Sequence, residues 1–243
     1  MRAAPRSITP AAMDSEDTPL VLPTAPEPLC CRPEQTAAVV IDMQNGYLSK
    51  GGYLDLMGFD VSGSATVIER AARVVDAARK AGLMVIHVQN GWNPGLAEAG
   101  PPTSPMWHKS NPLKYMRAHP EARLLIRGTW DHEIVEPLRP LEHEPVVHKP
   151  RYSAFAGTNL EMMLRAHDIS TLIFVGVNTN VCVETAVRDA FHREFFAVMV
   201  ADATTQAGPQ HIFDASVFNI QTFFGWTTTT DEIVARLSTL ESK

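Results

Sequence analysis

Leu172-Ile173-Phe174-Val175-Gly176-Val177, running into Asn178-Thr179-Asn180-Val181-Cys182, is the stretch that decides the fold of this chain. A β-branched apolar run that ends at glycine and then turns polar reads as a buried parallel strand and its turn, and Glu184 to Phe191 beyond it has helical spacing. Cys182 then falls in a first helical turn. Unpaired N–H groups and the positive end of the helix dipole favour an anion there, so the sequence predicts a thiol acidified below its free value near ~8.5. Taken alone, a buried cysteine reads better as a small hydrophobe tucked under the helix.

Two further strand ends change the balance. Ala37-Ala38-Val39-Val40-Ile41 carries no charge until it closes on Asp42, and Pro145-Val146-Val147-His148 closes on Lys149 before Pro150. In open α/β sheets, ligands bind beyond the carboxyl ends of the strands, where a carboxylate can serve as a base. By itself Asp42 reads equally as a loop cap or a base, and Lys149 as a surface lysine. Together with Cys182 they make an acid, a cation and a sulfur at the ends of three parallel strands expected to lie side by side. That set has the parts of a nucleophilic site in which the lysine steadies both the carboxylate and the thiolate.

Working outward, Thr66 to Lys80 puts Val67, Ala71, Val74, Val75 and Ala78 on one helical face, and Gly82 ends it. Leu83 to Val88 reads as a second buried strand. Gln89 to Pro120 is dense in Gly, Pro, Trp and His without a clear period, and reads as a long loop covering substrate. A helix at about 160–167, a fifth strand at 197–200 and a helix from about Pro209 complete the alternation. The expected fold class is α/β, one three-layer domain with a mostly parallel central sheet flanked by helices. Residues 34–243 form that domain, and residues 1–33, rich in Pro, Ala and Thr, read as an extended or flexible N-terminal leader.

The 243 residues suit one such domain. A net charge of −6, with no basic run, argues against nucleic acid and anionic membrane surfaces as partners and leaves a small molecule. Three cysteines, two of them adjacent at Cys30 and Cys31, make no disulfide framework, so the expected location is cytoplasmic. No apolar run is long enough to span a bilayer. Nine histidines include no HExxH, and GxSxG, GxxxxGK[ST] and GxGxxG are absent, so neither a metal nor an organic cofactor is implied. His87 reads as a core histidine inside its strand, and His148 as facing away from Lys149.

Asp42, Lys149 and Cys182 in that order, with Gly176-Val177-Asn178-Thr179-Asn180-Val181-Cys182, resemble the isochorismatase-like cysteine hydrolases. Within that superfamily, Gly51-Gly52-Tyr53-Leu54-Asp55, Gln89-Asn90-Gly91-Trp92, His108-Lys109-Ser110-Asn111 and Lys149-Pro150-Arg151-Tyr152-Ser153 resemble the ureidoacrylate amidohydrolases of pyrimidine breakdown. The resemblance implies Asp42, Lys149 and Cys182 as catalytic residues. It also implies an oxyanion hole from the N–H groups of Asn178 and Cys182, with a cis peptide at Val177-Asn178. Asn90, Trp92, Glu98, Ser110, Asn111 and Tyr152 would contact a ureide, while Lys109, Lys114 and Arg151 are equal candidates for a carboxylate anchor. The implied reaction cleaves the ureido C–N bond of ureidoacrylate, or its peroxy form, through an S-carbamoyl cysteine, giving aminoacrylate and carbamate. A homo-oligomer, with a tetramer as one form, is implied as well. Biuret or triuret hydrolysis is the alternative with the same chemistry, and a noncatalytic binding protein on the same fold is the alternative of another class.

Overall fold

A computed structural model describes residues 19–240. Six strands form one sheet: β3 (Thr36–Ile41), β4 (Met84–Asn90), β5 (Val146–Lys149), β6 (Thr171–Val177), β7 (Phe196–Thr205) and β8 (Trp226–Thr228). Their order is β5-β4-β3-β6-β7-β8, and every neighbouring pair is parallel. From β3 the chain winds outward to β5 on one side, then returns to β6 and winds outward to β8 on the other. The order therefore reverses between β3 and β6, and their carboxyl ends flank the crevice where such sheets bind ligands.

All six residues of β3 and all seven of β6 are buried, as their uninterrupted apolar runs require of strands covered on both faces. Ala38 and Val40 point into one core, shared with Val67, Ala71 and Val74 of helix α3 (Ser64–Lys80) and Ile233 of helix α9 (Thr230–Leu237). Val39 and Ile41 point into the other, with Leu160 and Leu164 of α6 (Leu160–Ala166) and Ala186 and Val187 of α7 (Glu184–Phe191). The period of two along a strand thus sorts alternate residues into two layers.

The long segment after β4 departs from the expected loop. It contains two short helices, α4 (Pro105–Lys109) and α5 (Asn111–Ala118), each with proline in its first turn, and Ser104 caps the first by accepting from Met106 N. Ser104-Pro105 and Asn111-Pro112 are helix-start signals that the lack of periodicity obscures. The leader departs too. Residues 1–18 lie outside the described residues, but β1 (Leu20–Leu22) and β2 (Leu29–Cys31) form an antiparallel pair with Leu20, Leu22 and Leu29 buried. Ala25 exchanges backbone hydrogen bonds with Thr227, and Trp226 Nε1 donates to Glu27 Oε1 at 2.8 Å, so this hairpin covers the edge of β8. Its strands, of three residues each, are too short to stand out from a Pro-rich background.

Gly176 is where β6 meets β3 most closely. Its φ is +123°, and a Cβ built there would lie 2.0 Å from the Ile41 carbonyl oxygen, next to Asp42. Gly176→Ala therefore has to push the two central strands apart. The expected loss is about 3 kcal/mol or more, seen as a melting temperature lower by about 6–12 °C. A variant melting within about 2 °C of the parent would contradict this account of the strand contact.

Candidate active site

Asp42 follows β3 directly and has φ +50°, a left-handed conformation that aspartate tolerates better than most side chains. Its N–H donates to Val88 O at 2.9 Å, and its Oδ1 accepts from Asn90 N at 2.9 Å. Lys149 ends β5, two strands away. The three strand ends are therefore not all neighbours: β4 lies between β3 and β5, and the long lysine side chain spans it. Lys149 Nζ lies 2.8 Å from Asp42 Oδ2 and donates to Cys182 Sγ at 3.3 Å. It also donates to the carbonyls of Arg151 and Tyr152, each at 3.1 Å.

Cys182 stands on a π-helical turn, Thr179–Val183, that leads without a break into α7. Its Sγ accepts from Lys149 Nζ, the ammonium that also pairs with Asp42. Asn178 O accepts from Val181 N and Val183 N, passing over the Cys182 N–H between them. The Val177-Asn178 peptide is cis, as the resemblance implied. Thr179 Oγ1 donates to Thr204 Oγ1, and Asn180 exchanges two hydrogen bonds with the Ala207 backbone, which ties the turn to the end of β7.

Asp42 and Lys149 are fully buried, and Cys182 is 1% exposed. Burial pushes the Asp42 carboxyl above the usual carboxylate range, against the pull of Lys149, of the neighbouring Cys182 and of the hydrogen bond from Asn90. Burial opposes the charge on Lys149 as well, but Asp42 and Cys182 beside it outweigh that and hold the ammonium above its ordinary value. Burial also pushes the Cys182 thiol well up, with Lys149 pulling down and Asp42 adding to the rise. That direction is opposite to the one expected from the helix start alone. A helix terminus contributes at most about 2 kcal/mol to an anion, less than the several kcal/mol that removing an ion from water costs. Burial thus opposes charge on both the sulfur and the carboxyl, and the Lys149 ammonium favours it on both.

Beside the sulfur lies a cavity of about 190 Å³. Asn178, Val181, Cys182 and Ala207 line one side of it, and Tyr53, Leu54, Phe59, Asn111 and Tyr152 line the rest. Of the side chains expected against a ureide, Asn111 and Tyr152 are there. The other four are elsewhere. Trp92 is fully buried in the core, with its Nε1 donating to Pro150 O. Glu98 holds Asn93 and lies 3.6 Å from Arg127. Asn90 bonds the backbone beneath the site. Ser110, at the joint of α4 and α5, is buried with its hydroxyl unpartnered among the described residues. None of Lys109, Lys114 and Arg151 lines the cavity, and Arg151 Nη1 donates instead to Glu98 O and Pro150 O. Sequence reading missed Tyr53 as a lining residue. Its place depends on buried Asp131, which accepts from Tyr53 N and Leu125 N, a contact 78 residues apart with no local signal.

His87 is buried with Nε2 against Glu144 Oε2 at 3.1 Å, whereas His148 is exposed on the face of β5 opposite Lys149. Among the described residues, no helix is long and apolar enough to cross a membrane, and no group of three or more His, Cys, Asp or Glu could hold a metal ion.

A doubly wound parallel sheet with an acid, a lysine and a cysteine converging at its switch point defines an α/β domain of the cysteine hydrolase class, and the chain belongs to the isochorismatase domain family, which matches residues 36–232. Among its relatives, the ureidoacrylate amidohydrolase RutB of Methylorubrum extorquens is 52% identical over 226 residues, spanning 92% of this chain and 91% of the relative. The ureidoacrylate amidohydrolase RutB of Agrobacterium fabrum is 50% identical over 221 residues, spanning 90% and 97%. Among solved structures, a cysteine hydrolase from Pseudomonas syringae pv. phaseolicola 1448A superposes with a TM-score of 0.73 at 28% identity, covering 86% of this chain and 95% of that one.

Proposed function

We propose that this chain is an amidohydrolase that cleaves the ureido C–N bond of ureidoacrylate, or of its peroxy form, with Cys182 as nucleophile. The observation that carries the reading is the contact of Lys149 Nζ with both Asp42 and Cys182 beside a small cavity, in a chain half identical to proteins that bear that activity. Asp42 takes the Cys182 proton, and the sulfur attacks the ureido carbonyl carbon. The resulting oxyanion is held by the N–H groups of Asn178 and Cys182; one such donor is worth about 2.7–4 kcal/mol of barrier. As the C–N bond breaks, the Asp42 proton passes to the leaving nitrogen and aminoacrylate departs. Water then gives a proton to Asp42 and its oxygen to the S-carbamoyl carbon. Carbamate leaves, and the proton returns to the Cys182 sulfur.

Lys149 keeps Asp42 ionised in a dry site and counters the thiolate as it forms. Asn111 and Tyr152 contact the ureide, and Ser110 adjoins Asn111. The three cysteines are free, which supports a reducing, cytoplasmic setting. We also propose that the protein works as a homo-oligomer, with Phe191, Phe218 and Phe223 as exposed aromatic side chains to cover; a monomer by light scattering would remove that part. The activity is tested by kcat/KM for ureidoacrylate against biuret and triuret. Ureidoacrylate is expected to lead, and a higher value for either of the other two would replace it as substrate.

A further inference from the structure

Because β4 separates the acid from the lysine, something must set the spacing of the two strands that carry them. Asn90, the last residue of β4, makes the necessary bonds on both sides. Its backbone N–H donates to Asp42 Oδ1 and to Gln44 Oε1, both at 2.9 Å. Its side-chain Nδ2 donates to Lys149 O at 3.0 Å and to Arg151 O at 3.2 Å, and Arg151 O also accepts from Lys149 Nζ. One side chain thereby fixes where β5 ends and where its lysine is aimed. The remaining polar atom of that side chain, Oδ1, accepts from the hydroxyl of Tyr47 at 2.9 Å.

Tyr47 is on helix α1 (Asn45–Leu48), is 3% exposed, and is held edge-on against Tyr53 with ring centroids 5.1 Å apart. Neither Tyr47 nor Asn90 lines the cavity beside Cys182. Turning the Asn90 amide over would face its oxygen toward two carbonyl oxygens, and removing the Tyr47 hydroxyl would leave that oxygen buried without a donor. Burial, with Asp42 and Cys182 nearby, pushes the Tyr47 phenol well above its ordinary value, so it stays a donor at any pH where the protein works.

We propose that Tyr47 is a positioning residue for the hydrolysis: its hydroxyl locks the Asn90 amide and so holds Lys149 where one ammonium meets both Asp42 and Cys182. The inference rests on the reading of those three residues as the catalytic set. Tyr47→Phe keeps the ring and removes only the donor. The expected result is a kcat lower by about 10- to 100-fold, with KM for ureidoacrylate within about twofold of the parent, because the lysine shifts while the cavity does not. The pH profile of Cys182 alkylation by iodoacetamide should move to higher pH, a change that loss of packing alone would not cause. Asn90→Ser should reproduce both effects, carrying the test if Tyr47→Phe does not fold, and the double variant should lose no more than the worse single one.

A kcat and an alkylation profile at parental values would overturn the proposal, as would a fall in kcat/KM that lies wholly in KM and so puts Tyr47 against substrate. Cys182→Ala assayed alongside separates the two ideas. Parental turnover in that variant removes the catalytic set itself, whereas an inert Cys182→Ala beside a fully active Tyr47→Phe removes only the role of Tyr47.

Discussion

Cys182→Ala is expected to lower turnover of ureidoacrylate by at least about 10⁴-fold while leaving the fold intact. The sulfur is the atom that would bond to carbon, and nothing else lining the cavity can replace it: the other side chains there are aromatic, aliphatic or amide. Stability should change by only about 1 kcal/mol, since the side chain is small and the turn that carries it is held by Thr179 and Asn180. Cys182→Ser should be nearly as inactive, because a hydroxyl in this dry site is far harder to deprotonate than a thiol. Steady-state assays beside a thermal melt provide the check, and either variant within tenfold of the parent would exclude sulfur as the nucleophile.

Lys149→Met should cost both activity and stability. Methionine keeps an unbranched apolar stem but leaves the fully buried Asp42 carboxylate without its counter-charge, and breaking a buried pair in this way costs about 3–5 kcal/mol. Asp42 can escape that cost only by holding a proton, and a protonated Asp42 no longer accepts one from Cys182. Loss of a general base accounts for a turnover lower by about 10²–10⁴-fold. The sign of the pH dependence follows from the same argument. With its folded-state pKa raised above the unfolded one, Asp42 binds more protons folded than unfolded, so the stability deficit grows as pH rises through the folded value and shrinks as pH falls toward the unfolded range. The thiol also loses the ammonium that pulls its pKa down, so alkylation of Cys182 should need higher pH than in the parent. Denaturant unfolding and alkylation rates measured across pH test both halves, and parental values in both would strip Lys149 of this role.

The readable parts of the fold are those where one physical rule acts over a short stretch. The apolar runs at 37–41 and 172–177 read as strands buried on both faces, and both are. The face of α3 drawn from Val67, Ala71, Val74 and Val75 is the face it buries. Strands of three residues were not readable: β8 and the β1–β2 hairpin gain their order from bonds such as Ala25 to Thr227, made 202 positions apart. At the site, Asp42, Lys149 and Cys182 were legible only as a set, because each alone has an ordinary structural use and the three together, at or just beyond the ends of apolar runs, have the parts of a nucleophilic site. The insertion of β4 between two of them was not.

Local sequence, then, determined which side chains stand at the strand ends and which way each strand faces, since alternation and helical period act within a few residues. Only the tertiary structure decided that burial opposes the thiolate, that Asn90 bonds the backbone and Tyr47 bonds Asn90 rather than lining the cavity, and that Tyr53 lines it. Desolvation and hydrogen-bond partnership come from groups tens of residues away, and no local pattern encodes how much water those groups exclude.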